Sequence, residues 1–99
     1  MRVEWLPPAI HDLQRLRDFI LPHNPAAAHR AIKIIKGAVS LLIANPGLGK
    51  PVEDLLDYHD IVIPFGAAGY VLRYRMRGDV IYIIAVRHGK EAGFSEGGE

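Results

Sequence analysis

The chain contains no cysteine. Disulfides, thiolate metal ligands and a cysteine nucleophile are thereby excluded together, and a reducing compartment, the cytoplasm, is the expected location. No apolar run approaches the ~20 residues that span a bilayer. The opening Met1-Arg2-Val3-Glu4-Trp5-Leu6-Pro7-Pro8 also lacks the basic, apolar and small-residue segments of a secretory signal, so no membrane partner is expected. Net charge is only +1, too little for the broad basic field of a protein whose main partner is bulk nucleic acid. A basic patch, if present, is local.

Catalytic templates are missing as well. Ser40 and Ser95 lie in no GxSxG context, the glycines form neither GxGxxG nor a Walker pattern, and no HExxH is present. The carboxylates Glu4, Asp12, Asp18, Glu53, Asp54, Asp57, Asp60 and Asp79 are scattered without a pair that spacing places in one cleft. His11, His23 and His29 fall in or beside predicted helices with no ligand spacing and are expected at the surface. Neither a metal nor a cofactor is expected.

The 99 residues present, 49% hydrophobic and 23% charged, have the balance of a globular domain and are expected to form one domain over 1–99. Alternation over residues 2–6 predicts a short strand, stopped by Pro7-Pro8. Ile10, Leu13, Leu16, Phe19 and Ile20 recur at helical spacing and predict a helix over 8–21. Pro22-His23-Asn24-Pro25 ends it, with Asn24 the expected N-cap and Pro25 the first residue of a second helix. Its apolar set, Ala28, Ala31, Ile32, Ile35, Ala38, Val39, Leu42 and Ile43, carries it to Ala44. Gly37, costing roughly 1 kcal/mol against Ala in a helix, is read as permitting a close helix crossing.

Residues 47–57 read as a loop with a helical turn at 53–56. The period then changes to two. Strands are predicted over 59–65, 70–77 and 80–88, joined by Gly66-Ala67-Ala68-Gly69 and Gly78-Asp79. The tail 89–99 is polar and glycine-rich, with Phe94 its main apolar residue; it is expected to be flexible or ordered by a partner. The predicted fold is α+β: an N-terminal strand, an α-helical hairpin, then a three-stranded antiparallel meander, with the helices packed on one face of the sheet.

The strand "YVLRYRMR" carries the main candidate site. Tyr70, Leu72, Tyr74 and Met76 share one face and belong on the core; Val71, Arg73, Arg75 and Arg77 share the other. With a tight hairpin, Ile81, Ile83, Ala85 and Arg87 are expected beside the arginines. Two readings stay open: a solvated sheet surface shielded by long amphipathic side chains, or a binding surface for phosphates, carboxylates or an acidic segment, which guanidinium groups grip with two parallel hydrogen bonds. His88, between Arg87 and Gly89-Lys90 at the end of the last strand, is a candidate base and equally a plain hydrogen-bonding residue.

Taken in order, "VEWLPPAIHDLQRLRDFI", "NPAAAHRAIKII", "NPGLGKPV", "GYVLRYRM" and "IYIIAVRHGKEAGF" resemble the RelE/ParE superfamily of toxins from type II toxin–antitoxin modules over nearly the whole chain. The segment "RHGKEAGF" is most similar to the ParE branch. That resemblance implies a bacterial, cytoplasmic toxin neutralised by a ParD-like antitoxin, a ribbon-helix-helix DNA-binding protein with a disordered C-terminal part that wraps the toxin. Operator DNA is then reached only through the antitoxin. It implies DNA gyrase as target, trapped without nuclease chemistry. In the RelE branch the toxin instead cuts mRNA on the ribosome. RelE-like nucleases place an arginine after the tyrosine of the strand, where this chain has Val71, and lysines before the second sheet strand, where it has Asp57-Tyr58-His59-Asp60 and only a distant Lys50. They usually carry a C-terminal aromatic as well, and Phe94 here has no hydroxyl. Many ParE-like chains carry arginine where this one has His59 and glutamate where it has Asp60.

The expected reading is therefore a ParE-like inhibitor with no catalytic residue, in which Arg73, Arg75, Arg77, Arg87, His88 and Lys90 contact the target or the antitoxin. The alternatives are a ribosome-dependent endoribonuclease using Arg87 and His88, and a non-toxic remnant that retains antitoxin binding alone.

Overall fold

The computed structural model describes residues 1–91. The remainder of the expected tail, Phe94 included, lies outside the described residues. The order is β1 (Arg2–Trp5), α1 (Pro7–Ile20), α2 (Pro25–Ala44), β2 (Lys50–Pro51), β3 (Tyr58–Ile63), β4 (Tyr70–Arg77) and β5 (Val80–His88). The strands form one five-stranded sheet in the order β1-β5-β4-β3-β2. The expected meander is β3-β4-β5, antiparallel throughout. β1 runs parallel to β5, from Arg2 opposite Val80 to Trp5 opposite Ile83, which makes the sheet mixed. Both helices lie on one face.

Asn24 caps α2 as its position predicts, its side-chain oxygen accepting from the Ala27 N–H at 3.0 Å. α1 has no side-chain cap at Leu6, and Pro7 and Pro8 fill its first turn, where a proline loses no intrahelical donor. Ala9 and Leu16 of α1, and Ala31, Ile35, Val39 and Leu42 of α2, pack on Ile61, Ile63, Tyr70, Leu72, Tyr74, Ile81, Ile83 and Val86. Burying each large side chain contributes roughly 1.5–3 kcal/mol. Three residues of the expected apolar stripes are outside that core: Ile10 is 41%, Phe19 78% and Ile43 44% exposed. The buried line of α1 runs through Ala9, Leu13, Leu16 and Ile20, which leaves Ile10 and Phe19 about a quarter turn away on either side.

The sheet corrects the sequence reading in three further places. The expected helical turn at 53–56 is absent: Asp54 and Asp57 adopt positive φ of 66° and 67°, a left-handed geometry that aspartate tolerates. Val52 N–H donates to the Tyr58 carbonyl at 2.9 Å instead, closing a turn between β2 and β3. Ile81 and Ile83 do not stand beside the arginines. The two-residue turn at Gly78-Asp79 sets Arg77 opposite Val80, so Met76 faces Ile81 and Tyr74 faces Ile83, and both isoleucines are fully buried under the helices. A bulge between Arg73 and Tyr74 then shifts the register by one, placing Ala85 opposite Arg73 and Arg87 opposite Val71 as expected. Gly37, finally, marks no helix crossing; a Cβ there would meet nothing within 4 Å.

Tyr74 ties the sheet to the α2–β2 connection. Its buried hydroxyl donates to the Pro46 carbonyl at 2.7 Å and accepts from the Gly49 N–H at 2.9 Å. Gly49 must be glycine, because a Cβ would sit 2.8 Å from the tyrosine ring. β1 follows β5 only as far as Ile83. Beyond it, Asp12 of α1 supplies the missing acceptor, taking the Val86 N–H at 3.0 Å.

Candidate functional site

On the face of the sheet away from the helices, cross-strand pairing sets Asp60 opposite Arg73 and Tyr58 opposite Arg75. Those two pairs differ in chemistry. Arg73 grips Asp60 with two parallel bonds, Nε to Oδ1 at 2.9 Å and Nη2 to Oδ2 at 3.1 Å, both side chains being mostly covered. Arg75 has no carboxylate opposite it and lies over the Tyr58 ring, 5.3 Å from its centroid. Leu6, Tyr58, Arg75, Arg77, Tyr82 and Ile84 enclose a cleft of 320 Å³ there. Arg77, the last residue of β4, is exposed at its rim.

Arg87 also reaches this face, but its guanidinium turns towards its own chain end, with Nη1 3.3 Å from the Glu91 carbonyl and 3.4 Å from that of His88. His88 lies opposite Tyr70 in the register, on the helix side, with its ring edge-on to Tyr70 at 5.7 Å. The expected pair Arg87 and His88 thus stands on opposite faces of one strand. Lys90 is exposed, and its N–H donates to His88 Nδ1 at 3.2 Å. Residues 89–91 are held in place: Gly89 N–H donates to the Gly69 carbonyl at 2.9 Å, and Glu91 binds Arg15 at 2.6 Å. Burial opposes ionisation of Glu91, yet the Arg15 hydrogen bond and the His88 N–H outweigh it and hold the carboxyl below its ordinary range. No group of three metal-ligating side chains occurs among the described residues.

Tyr58 and Tyr82, the aromatic walls of the cleft, were not singled out from the sequence. The signal for them was the parity of β3 and β5 read against that of β4, which needs the register to be known. His59 and Val71, two of the departures from family patterns, fall apart: His59 stacks on Tyr74 on the helix side at 5.4 Å, and Val71 lies on the uncovered face opposite Val62.

A second feature lies along the far edge of the sheet. β2 covers β3 only at His59 and Asp60, so β3 is an open edge from Ile61 onward. One stripe of α2, Ile34, Gly37, Ala38 and Leu41, looks onto it across a groove of 880 Å³ that Leu48 and Val62 also line. Ile34, Leu41, Leu48 and Val62 are 38%, 58%, 54% and 73% exposed, an apolar concentration that marks an interaction site. The groove's charged lining residues are Lys50 and Asp60, the latter already gripped by Arg73.

The family model for the ParE toxin of type II toxin–antitoxin systems (parDE) matches residues 3–93. Toxin RelE3 of Caulobacter vibrioides is 37% identical over 89 residues, covering 90% of this chain and 95% of the relative. Toxin RelE1 of the same organism is 32% identical over 83 residues, covering 84% and 87%. Among solved structures, a chain of the chromosomal ParDE system from P. aeruginosa superposes with a TM-score of 0.76 at 24% identity, covering 91% of this chain and 97% of that one, a likeness of fold. No helix among the described residues is long and apolar enough to cross a membrane. Two helices on one face of a five-stranded mixed sheet, with the match running from residue 3 to residue 93, make this chain a member of the ParE toxin family of type II toxin–antitoxin systems.

Proposed function

We propose that the chain is a cytoplasmic, ParE-like toxin that poisons DNA gyrase by binding it and is neutralised by a ParD-like antitoxin. The observation that carries this reading is the division of Arg87 and His88 between the two faces of β5. Cutting RNA needs a base and phosphate-holding cations at one scissile bond. Here the imidazole is on the helix side, and the arginines of the uncovered face have Val71 among them. What that face offers is recognition: guanidinium groups set among tyrosines, the residue types that dominate hot spots of protein interfaces.

Antitoxin docking belongs, in this reading, to the groove between α2 and the open edge of β3. An extended segment can add there as a strand, its apolar side chains against Ile34 and Leu41 and an acidic one near Lys50. The uncovered arginine face is then left for the target.

A second reading has its own support, because relatives at 37% and 32% identity carry the name RelE. One experiment separates the two. Purified toxin is added to gyrase supercoiling reactions and, in parallel, to ribosomes translating a defined mRNA followed by primer extension. Loss of supercoiling with accumulation of cleaved DNA supports the proposal. Codon-phased mRNA cuts that disappear in His88→Ala, with gyrase unaffected, overturn it.

A further inference from the structure

Arg73 and Arg75 lie two residues apart on one strand and one face, and among the described residues a carboxylate from the neighbouring strand meets Arg73 but not Arg75. Asp60 fills the Arg73 fork from the neighbouring strand. At the equivalent place opposite Arg75 the chain has Tyr58, whose ring lies beneath the guanidinium. The Arg75 Nε is enclosed by protein, and no acceptor among the described residues reaches it. A buried donor without an acceptor is costly, more so when it is charged, so a carboxylate that meets the guanidinium offsets a cost that a solvated arginine does not bear.

We infer that the cleft between Tyr58 and Tyr82 is a binding site for one carboxylate of a protein partner, an Asp or Glu side chain received by Arg75 as Arg73 receives Asp60. Rim and walls favour that ligand over a nucleic-acid chain. Leu6 and Ile84 give the cleft an aliphatic floor suited to the side chain next to the acid. Glu4 stands beside Tyr82 on the adjoining strand and engages Arg2, so that side of the cleft adds no net positive charge along which a run of phosphates could continue. Arg77 at the rim adds charge that steers an acid inward. The site lies on the same sheet face as Val71 and Arg87 but at the far end of β4 from them. The inference rests on the proposal that this face recognises protein, and assigns its anchor.

The test uses the intact folded chain and short probes. Acetyl-Leu-Glu-Leu-amide and its glutamine counterpart are titrated into labelled protein while the Arg75 Nε–H resonance is followed by NMR. The expected result is a saturable shift with the glutamate peptide, at least 10-fold weaker with the glutamine peptide; for Arg75→Lys, which keeps the charge and loses the fork, binding is followed at the Tyr82 and Ile84 backbone amides and is at least 10-fold weaker than that of the wild-type chain followed at the same amides. The peptide swap needs no variant, so the test stands even where Arg75→Lys fails to fold. Equal shifts from the two peptides, or no saturable shift at Arg75, overturn the inference. Tighter binding of a six-nucleotide oligouridylate at the same resonance overturns it in favour of a nucleic-acid surface. Failure of the glutamate peptide alongside intact gyrase inhibition removes this anchor and leaves the functional proposal standing.

Discussion

On the helix side of β4, Tyr70, Leu72 and Tyr74 are almost wholly shut from solvent; on the other side Arg75 and Arg77 line an open cleft. The same eight-residue strand makes both faces, and alternation alone decides which residue goes to which. Burial on one side holds the fold together. The other side carries less of that duty, so arginine and tyrosine can stand there even where a donor such as the Arg75 Nε is enclosed. The division also shows why one strand supplies both a structural anchor, the Tyr74 hydroxyl, and a guanidinium facing the cleft, that of Arg75, in adjacent positions.

Several changes sharpen this division, and the largest effects belong to the covered side. Leu72→Ala should lower stability by about 2–5 kcal/mol, because the cavity opens in a fully enclosed site; denaturant unfolding measures it. Gly49→Ala should act through the same region, since its methyl group must displace the Tyr74 ring, and Tyr74→Phe leaves the Gly49 N–H and Pro46 carbonyl without their partner at about 1–3 kcal/mol. If Tyr74→Phe were neutral, the hydroxyl would not be what pins the α2–β2 connection.

Asp60→Ala tests the intermediate case, a mostly covered charge pair on the uncovered face. Hydrogen bonds to charged groups contribute about 1.5–3 kcal/mol, so a loss near that range is expected. Arg77→Ala, at the exposed end of β4, should change stability by no more than about 0.5 kcal/mol while weakening target binding. An equal stability loss at both positions would erase the distinction drawn between them.

The smallest effects are in pH. Glu91 has its folded carboxyl lowered relative to the unfolded chain, so its contribution is fully present above the unfolded value of about 4.3 and is lost as pH falls through the folded one. Glu91→Gln should flatten that acid limb of an unfolding-midpoint profile. Burial raises both Tyr70 and Tyr74, which makes the opposite limb: stability is present below about pH 10 and declines above it as the unfolded chain ionises first.

Much of this architecture was legible in the sequence because local signals agreed. Asn24 and Pro25 fixed the start of α2, and the change of period after residue 57 announced the meander. The side of the arginines followed from parity within one strand. What parity within one strand cannot give is register between strands. The turn at Gly78-Asp79 and the bulge at Arg73/Tyr74 decide which β5 residues meet the arginines, and the pairing of β3 decides that Arg73 meets an aspartate while Arg75 meets a tyrosine. The site therefore hid in long-range pairing. Ile10 and Phe19 were misassigned for a similar reason, since an apolar stripe three residues wide does not say which line of it touches the sheet.

The account stands most directly on one comparison: gyrase supercoiling measured with the wild-type chain and with the double variant Arg75→Ala/Arg77→Ala, each shown to unfold at the same midpoint. The account predicts that the wild-type chain inhibits supercoiling and accumulates cleaved DNA, and that the variant needs at least ten times the concentration to do so. Unchanged potency in the variant would contradict the claim that the uncovered face is where this protein meets its target.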